Sequence, residues 1–149
     1  MTYCLAIALD EGLVFCSDSR TNAGADRVST YSKMHKFAFP GDRSLVLLSA
    51  GNLATSQGVV SQIHRDLEMG ESAPIRTAKY VSDVADYIGD LIAKESEKYS
   101  VSGGPGAELD VSATFILGGQ IACNEPELYM VYPEGNHITT SRTHPFLQI

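Results

Sequence analysis

The sequence predicts a layered α+β fold. Strand-like segments crowd the first 50 residues, two helical stretches follow, and strand-like segments then return. With 149 residues and a hydrophobic fraction of 44%, the chain suits one domain with a real core.

The elements follow in order. Residues 3–9 and 13–17 read as two strands joined by the turn Asp10-Glu11-Gly12. Residues 21–30 are rich in Asn, Gly, Asp and Ser and read as a loop. Residues 34–39 and 44–50 read as strands around Pro40-Gly41-Asp42, so the start is antiparallel. The apolar period then lengthens. Leu53, Val60, Ile63 and Leu67 recur at helical spacing behind a candidate N-cap, Asn52, and Met69-Gly70 ends that helix. Val81, Val84, Ala85, Ile88, Leu91 and Ile92 form the stripe of a second helix. Residues 102–106 (SGGPG) read as a loop. Strands return at 111–117, ending at Gly118-Gly119, at 128–132, and at 137–140 after a turn at 133–136. The apolar ending at residues 144–149 leaves the last strands with one face uncovered, which predicts a further C-terminal portion.

Composition narrows the function. A net charge of -7 argues against a nucleic-acid grip, which needs a basic face. No apolar run is long enough to span a bilayer, so no membrane role is expected. The opening MTYCLAIALDEG has no positive leader region, and a cytoplasmic protein is expected. Cys4, Cys16 and Cys123 fit no metal spacing, and Cys4 and Cys16 read as small buried hydrophobes. The four histidines form no i,i+4 pair. No metal and no cofactor is expected, and there is no GxxxxGK[ST] phosphate loop.

Four features carry chemistry. Thr2 follows the initiator methionine, and a small residue there permits methionine removal. The freed α-amine, with a pKa of about 7.7–8.0, can serve as the base for the hydroxyl of its own residue. Ser17-Asp18-Ser19-Arg20 ends the second strand. Counting back with Leu9 opposite Glu11 sets Thr2 opposite Asp18. Lys33 opens the third strand, where its ammonium can reach Asp18 and the Thr2 hydroxyl and favour an alkoxide-like oxygen. Lys36 is the fallback. Ser49-Ala50-Gly51-Asn52 hands a strand to a helix, where free N–H groups can hold an oxyanion. Each feature alone is equally an ordinary strand residue, surface charge or turn.

Taken together, Thr2, SDSR at 17–20, Ala23-Gly24-Ala25, Lys33 and SAG at 49–51 resemble the N-terminal part of proteasome β-type subunits. LGG at 117–119 and ELYMVYPEG at 127–135 extend the resemblance. TYCLAIALDEGLVF, SDSRTNAGAD and YSKMHKF are similar to its bacterial Anbu branch. The resemblance implies a four-layer αββα sandwich, the N-terminal nucleophile hydrolase fold, of which this chain holds the N-terminal portion. It implies Thr2 as nucleophile, Asp18 and Lys33 as its supporting pair, and the Gly51 N–H in an oxyanion hole. Thr21 and Asn22 would line the substrate channel and Ser49 the specificity pocket. A threonine peptidase acting on peptides or unfolded proteins is implied, as a homo-oligomeric ring or open spiral, with any ATPase a separate protein. A non-catalytic assembly subunit and an amidohydrolase for small amides are the alternatives. The loop from Asp18 to Lys33 is one residue shorter than is typical of the family, the family's remaining active-site groups would lie beyond Ile149, and a retained Met1 would block the amine.

Overall fold

The computed structural model describes residues 2–22, 28–70, 72–100 and 110–149. The chain opens with a hairpin of β1 (Cys4–Leu9) and β2 (Gly12–Ser17). A short ribbon follows, β3 (Arg20–Asn22) against β4 (Val28–Thr30). Next come β5 (Met34–Phe39) and β6 (Arg43–Gly51), then helices α1 (Leu53–Met69), α2 (Pro74–Thr77) and α3 (Val81–Ser100). Strands β7 (Ala113–Ile121), β8 (Glu127–Val131), β9 (His137–Thr139) and β10 (Phe146–Gln148) complete the order.

Two antiparallel sheets stack face to face. One has the order β5-β6-β7-β8-β9, the other β10-β1-β2. Three layers are visible among the described residues: helices, the five-stranded sheet and the three-stranded sheet. The larger apolar cluster lies between helices and sheet, with Leu45, Leu47, Phe115 and Leu117 facing Val59, Ile63, Ile88 and Ile92. The smaller lies between the sheets, with Cys4, Ala6, Leu48, Ile116, Leu128 and Leu147. Strand alternation explains the division: successive residues of β6 and β7 serve opposite clusters. Leu9, Val14 and Phe146 are exposed. No helix among the described residues is long and apolar enough to cross a membrane.

Both long helices start and stop as their sequences dictate. The Asn52 side chain accepts from the Thr55 N–H at 3.1 Å and caps α1, and Gly70 follows its last residue. Asp83 sits in the first turn of α3 and Lys98 in the last, each matching the helix dipole.

Several expectations need correction. Pairing in the first hairpin joins Leu9 to Gly12 and Cys4 to Ser17. The turn therefore has two residues, Asp10 and Glu11, and Gly12 at φ 148° begins β2 instead of completing the turn. A one-residue change of register moves every partner, so Asp18 lies across from Tyr3 and not from Thr2. Residues 21–30 are not all loop, because backbone pairing of Arg20–Asn22 with Val28–Thr30 satisfies their amides. The sequence 102–106 lies outside the described residues. Strand β7 runs through Gly118 and Gly119 to Ile121. A Cβ at Gly118 would collide with Leu128 and with the Phe15 ring of the facing sheet, so this glycine makes a notch for Phe15. Residues 74–77 and 146–148 carry too few residues to show periodicity, yet form α2 and β10. Strands β6–β8 have their second face covered by the β10-β1-β2 sheet. Cys4 is buried as expected, whereas Cys16 is exposed because it alternates onto the outer face of β2.

Helix α3 packs against the β8–β9 turn at a glycine pair, Gly89 and Gly135. Alanine in a helix interior normally stabilises by up to about 1 kcal/mol relative to glycine. A Cβ at Gly89 would instead collide with the Gly135 carbonyl oxygen. Gly89→Ala is predicted to destabilise by about 1–3 kcal/mol in urea unfolding, and any stabilisation would contradict this packing.

Candidate active site

The site lies where the β1–β2 hairpin, the residues before β5 and the β6–α1 corner meet. Tyr3 and Asp18 are held as a pair. The Asp18 N–H donates to the Tyr3 carbonyl at 3.0 Å, and the Tyr3 N–H donates to Asp18 Oδ1 at 3.1 Å. Asp18 is thus fixed beside the peptide that follows Thr2.

Lys33 joins the pieces. Its Nζ donates to Asp18 Oδ1 at 2.8 Å and Oδ2 at 3.0 Å, to the Arg20 carbonyl at 2.9 Å and to Thr2 Oγ1 at 3.0 Å. An ammonium has three protons, and these acceptors come from three residues, so each proton has a destination. The lysine side chain is only 6% exposed, against 32% for Asp18. A cation so buried needs its counter-charge. The Lys33 hydrogen bond, seconded by that of the Tyr3 N–H, holds the Asp18 carboxyl below its usual 3.8.

The β6–α1 corner forms the facing wall. Ser49 lies next to Lys33, its N–H donating to the Lys33 carbonyl at 3.0 Å, while its own carbonyl accepts from the buried Cys4 thiol at 3.6 Å. Burial pushes that thiol up to about 11 and keeps it protonated. Gly51 has φ 96°, a left-handed conformation that suits glycine. A Cβ there would lie 2.5 Å from the Ser112 carbonyl oxygen. Residues 110–112 clamp the corner. The Asn52 N–H donates to Ser112 O at 2.7 Å, Asn52 Nδ2 to Asp110 O at 2.9 Å, and Thr55 Oγ1 to Val111 O at 2.8 Å. This clamp is absent from the sequence reading, and only the N-capping pattern at Asn52 hints at it.

Of the residues singled out from sequence, Thr2, Asp18 and Lys33 come together, and Ser49 and Gly51 line the same recess as Thr2 and Lys33. Lys36 is exposed, paired with Val46, and outside the cluster. Thr21 and Asn22 have backbones in β3, but their side chains lie outside the described residues, as do Ala23, Gly24 and Ala25. Thr2 and Asp18 are linked through Lys33 and not as cross-strand partners. Among the described residues no three His, Cys, Asp or Glu side chains converge as a metal site.

This stacking of sheets, with a threonine hydroxyl, lysine and aspartate at the chain's start, defines a proteasome-type protein. No family model matches the sequence, and no curated protein does. Solved structures match closely. Anbu, the ancestral β-subunit, from Yersinia bercovieri is 38% identical with a TM-score of 0.90, over 99% of this chain and 60% of that one. The helical assembly of the Anbu complex from Pseudomonas aeruginosa is 40% identical at 0.88, again over 99% and 60%. Anbu from Hyphomicrobium sp. strain MC1 is 39% identical at 0.83, with the same coverage. The chain belongs to the Anbu family and spans about 60% of the length of these relatives.

Two predictions follow from the geometry. Gly51→Ala should both strain a left-handed residue and press on Ser112, lowering stability by about 1–3 kcal/mol in chemical denaturation. Because the folded Asp18 pKa is depressed, the Asp18–Lys33 pair contributes its full stability above about pH 5. That contribution falls away as pH drops below 3.8 toward the folded value. Asp18→Asn should flatten this acid limb of stability against pH, and an unchanged limb would contradict the pairing.

Proposed function

We propose that this chain is an N-terminal threonine hydrolase of the proteasome type, cleaving peptide bonds through an acyl-enzyme on Thr2 once Met1 is removed. The observation that carries the reading is the 3.0 Å hydrogen bond from Lys33 Nζ to Thr2 Oγ1, made by a lysine that Asp18 neutralises.

The proton inventory specifies the roles. Lys33 donates all three of its protons, so it stabilises negative charge on Oγ1 and does not take the hydroxyl proton. The base must come from elsewhere, and the α-amine of Thr2 is the near candidate, directly or through a water. While Met1 is attached, that nitrogen is an amide with no basic lone pair. On its removal, Oγ1 attacks the carbonyl carbon as its proton passes to the amine. The tetrahedral oxyanion receives the Gly51 N–H. Collapse breaks the C–N bond, and the α-ammonium returns the proton to the leaving amine. Water then attacks the ester by the reverse proton path and frees Thr2.

The reading includes peptide or unfolded-protein substrates, assembly of identical chains as a ring or open spiral, a cytoplasmic setting and a separate ATPase if one takes part. The helical assembly of the Pseudomonas aeruginosa relative supports self-association. Thr21 and Asn22 as channel-lining residues, and a fourth layer over the sheet face that carries Leu9, Val14 and Phe146, belong to the same reading.

The test is direct. Protein from its native host should have a mass lacking Met1 and should be acylated at Thr2 by threonine-directed electrophiles. Thr2→Ala should lose labelling and hydrolysis completely, and Lys33→Ala should lower the labelling rate by at least about 100-fold. Retained Met1 throughout the mature protein, or undiminished labelling of Thr2→Ala, would point to a non-catalytic assembly subunit.

A further inference from the structure

The Gly51 N–H has to point at one place to meet an oxyanion, and the sheet decides which way it faces. The Asn52 N–H donates to the Ser112 carbonyl at 2.7 Å, on the β7 side. Along an antiparallel strand, successive residues turn their N–H groups to opposite sides. Ser49, two residues before Gly51, sends its N–H to the Lys33 carbonyl at 3.0 Å. Gly51 shares that parity, so its N–H faces the side of Lys33 and Thr2, away from β7. Its angle is set by the contact behind it. The Ser112 carbonyl oxygen is packed so closely on Gly51 that a Cβ there would lie 2.5 Å from it. A shift of Ser112 is therefore a shift of Gly51.

Three successive carbonyls form this backing. Those of Asp110, Val111 and Ser112 accept from Asn52 Nδ2, Thr55 Oγ1 and the Asn52 N–H. All three donors belong to the cap and first turn of α1. The three carbonyls keep their relative directions only if the turn that carries them is braced. The brace is the Asp110 carboxylate. Its Oδ1 accepts from the Ser112 N–H at 3.0 Å and from the Ser112 hydroxyl at 2.5 Å, closing residues 110–112 into a turn. The hydroxyl, seconded by the N–H, holds this carboxyl below its usual 3.8. Asp110 is exposed and stands outside the lining of the recess that holds Thr2 and Lys33. Its carboxylate serves the shape of the turn.

We propose that Asp110 is a positioning residue for acyl transfer at Thr2: it holds Ser112 against Gly51 and so keeps the Gly51 N–H aimed at the oxyanion. The proposal rests on the reading of Thr2 as nucleophile and the Gly51 N–H as oxyanion donor. Asp110 touches neither the substrate nor the reacting atoms. Its effect reaches them through Ser112, Asn52 and Gly51. Only steps that place negative charge on an acyl oxygen depend on it.

Two reagents carrying the same peptide separate this role from a general loosening of the site. With a peptidyl nitrophenyl ester, Thr2 Oγ1 attacks the acyl carbon, the carbonyl oxygen becomes an oxyanion, and nitrophenolate leaves. With a peptidyl vinyl sulfone, Oγ1 adds to the vinyl carbon remote from sulfur. The displaced electron pair goes to the carbon beside sulfur, which takes up the proton. No acyl oxygen is charged in this second reaction. In protein purified from its native host, Asp110→Ala should lower the maximal rate of the nitrophenolate burst at least about tenfold. Vinyl sulfone labelling, read by intact mass, should change by less than about twofold. Asp110→Asn keeps an acceptor oxygen for Ser112 and should bring the ester rate back to within about threefold. Equal loss with both reagents, no loss of ester rate in Asp110→Ala, or no rescue by Asp110→Asn would overturn the role of Asp110 and leave Thr2 standing. No reaction with either reagent in the unsubstituted protein, its mass showing Met1 gone, would overturn the nucleophile and the role of Asp110 with it.

Discussion

The Lys33 ammonium is the constraint around which the site is organised. A cation with 6% of its side chain exposed has to find acceptors within the protein, and this one finds them on Thr2, Asp18 and Arg20. These residues belong to the start of β1, the end of β2 and the first residue of β3. One charge therefore holds the chain's second residue, the hairpin's far end and the ribbon beyond it against the residues that precede β5. Each contact is also a limit on the others. Lysine protons spent on Asp18 and Arg20 leave one for the Thr2 oxygen, which makes the cation a donor and nothing else.

Lys33 can reach all three because the sheets are stacked in one way. Phe15 of β2 settles into the notch at Gly118 of β7, and Cys4, Ala6 and Leu147 close over Leu48, Ile116 and Leu128. That apolar contact determines where the hairpin ends lie relative to β5 and β6. On the opposite side, the helices pin the β6–α1 corner, and residues 110–112 clamp it through Asn52 and Thr55. The recess beside Thr2 is what remains between a sheet stack and a helix start, each held by its own packing and hydrogen bonds.

Much of this was legible from local pattern. The stripe from Val81 to Ile92 and the cap at Asn52 are short-range signals, and both helices appear where they point. The register of the first hairpin was not legible. Around Asp10-Glu11-Gly12 the sequence does not decide between pairing Leu9 with Glu11 and pairing it with Gly12, and that difference of one residue moves Asp18 from Thr2 to Tyr3. The grouping of Thr2, Asp18 and Lys33 survives this error because a lysine's long flexible stem tolerates a shift that a short side chain would not. The β3–β4 ribbon, α2 and β10 escaped notice because short elements owe their existence to partners far along the chain. The clamp at 110–112 is of the same kind: it consists of backbone carbonyls, which no residue type announces.

Strand β1 is central in its sheet, paired with β2 on one side and β10 on the other. Cys4 exchanges both backbone hydrogen bonds with Ile149, at 2.7 and 3.0 Å. Closing a loop of that length is slow compared with forming the adjacent hairpin. The strand that begins just after Thr2 thus waits for one of the last described strands before both its edges are paired. The edge of β1 that follows Thr2 is therefore completed by residues 146–149, from the far end of the described sequence. A change at Leu147 or Ile149 can thereby disturb the surroundings of Thr2 without touching any residue of the Lys33 cluster.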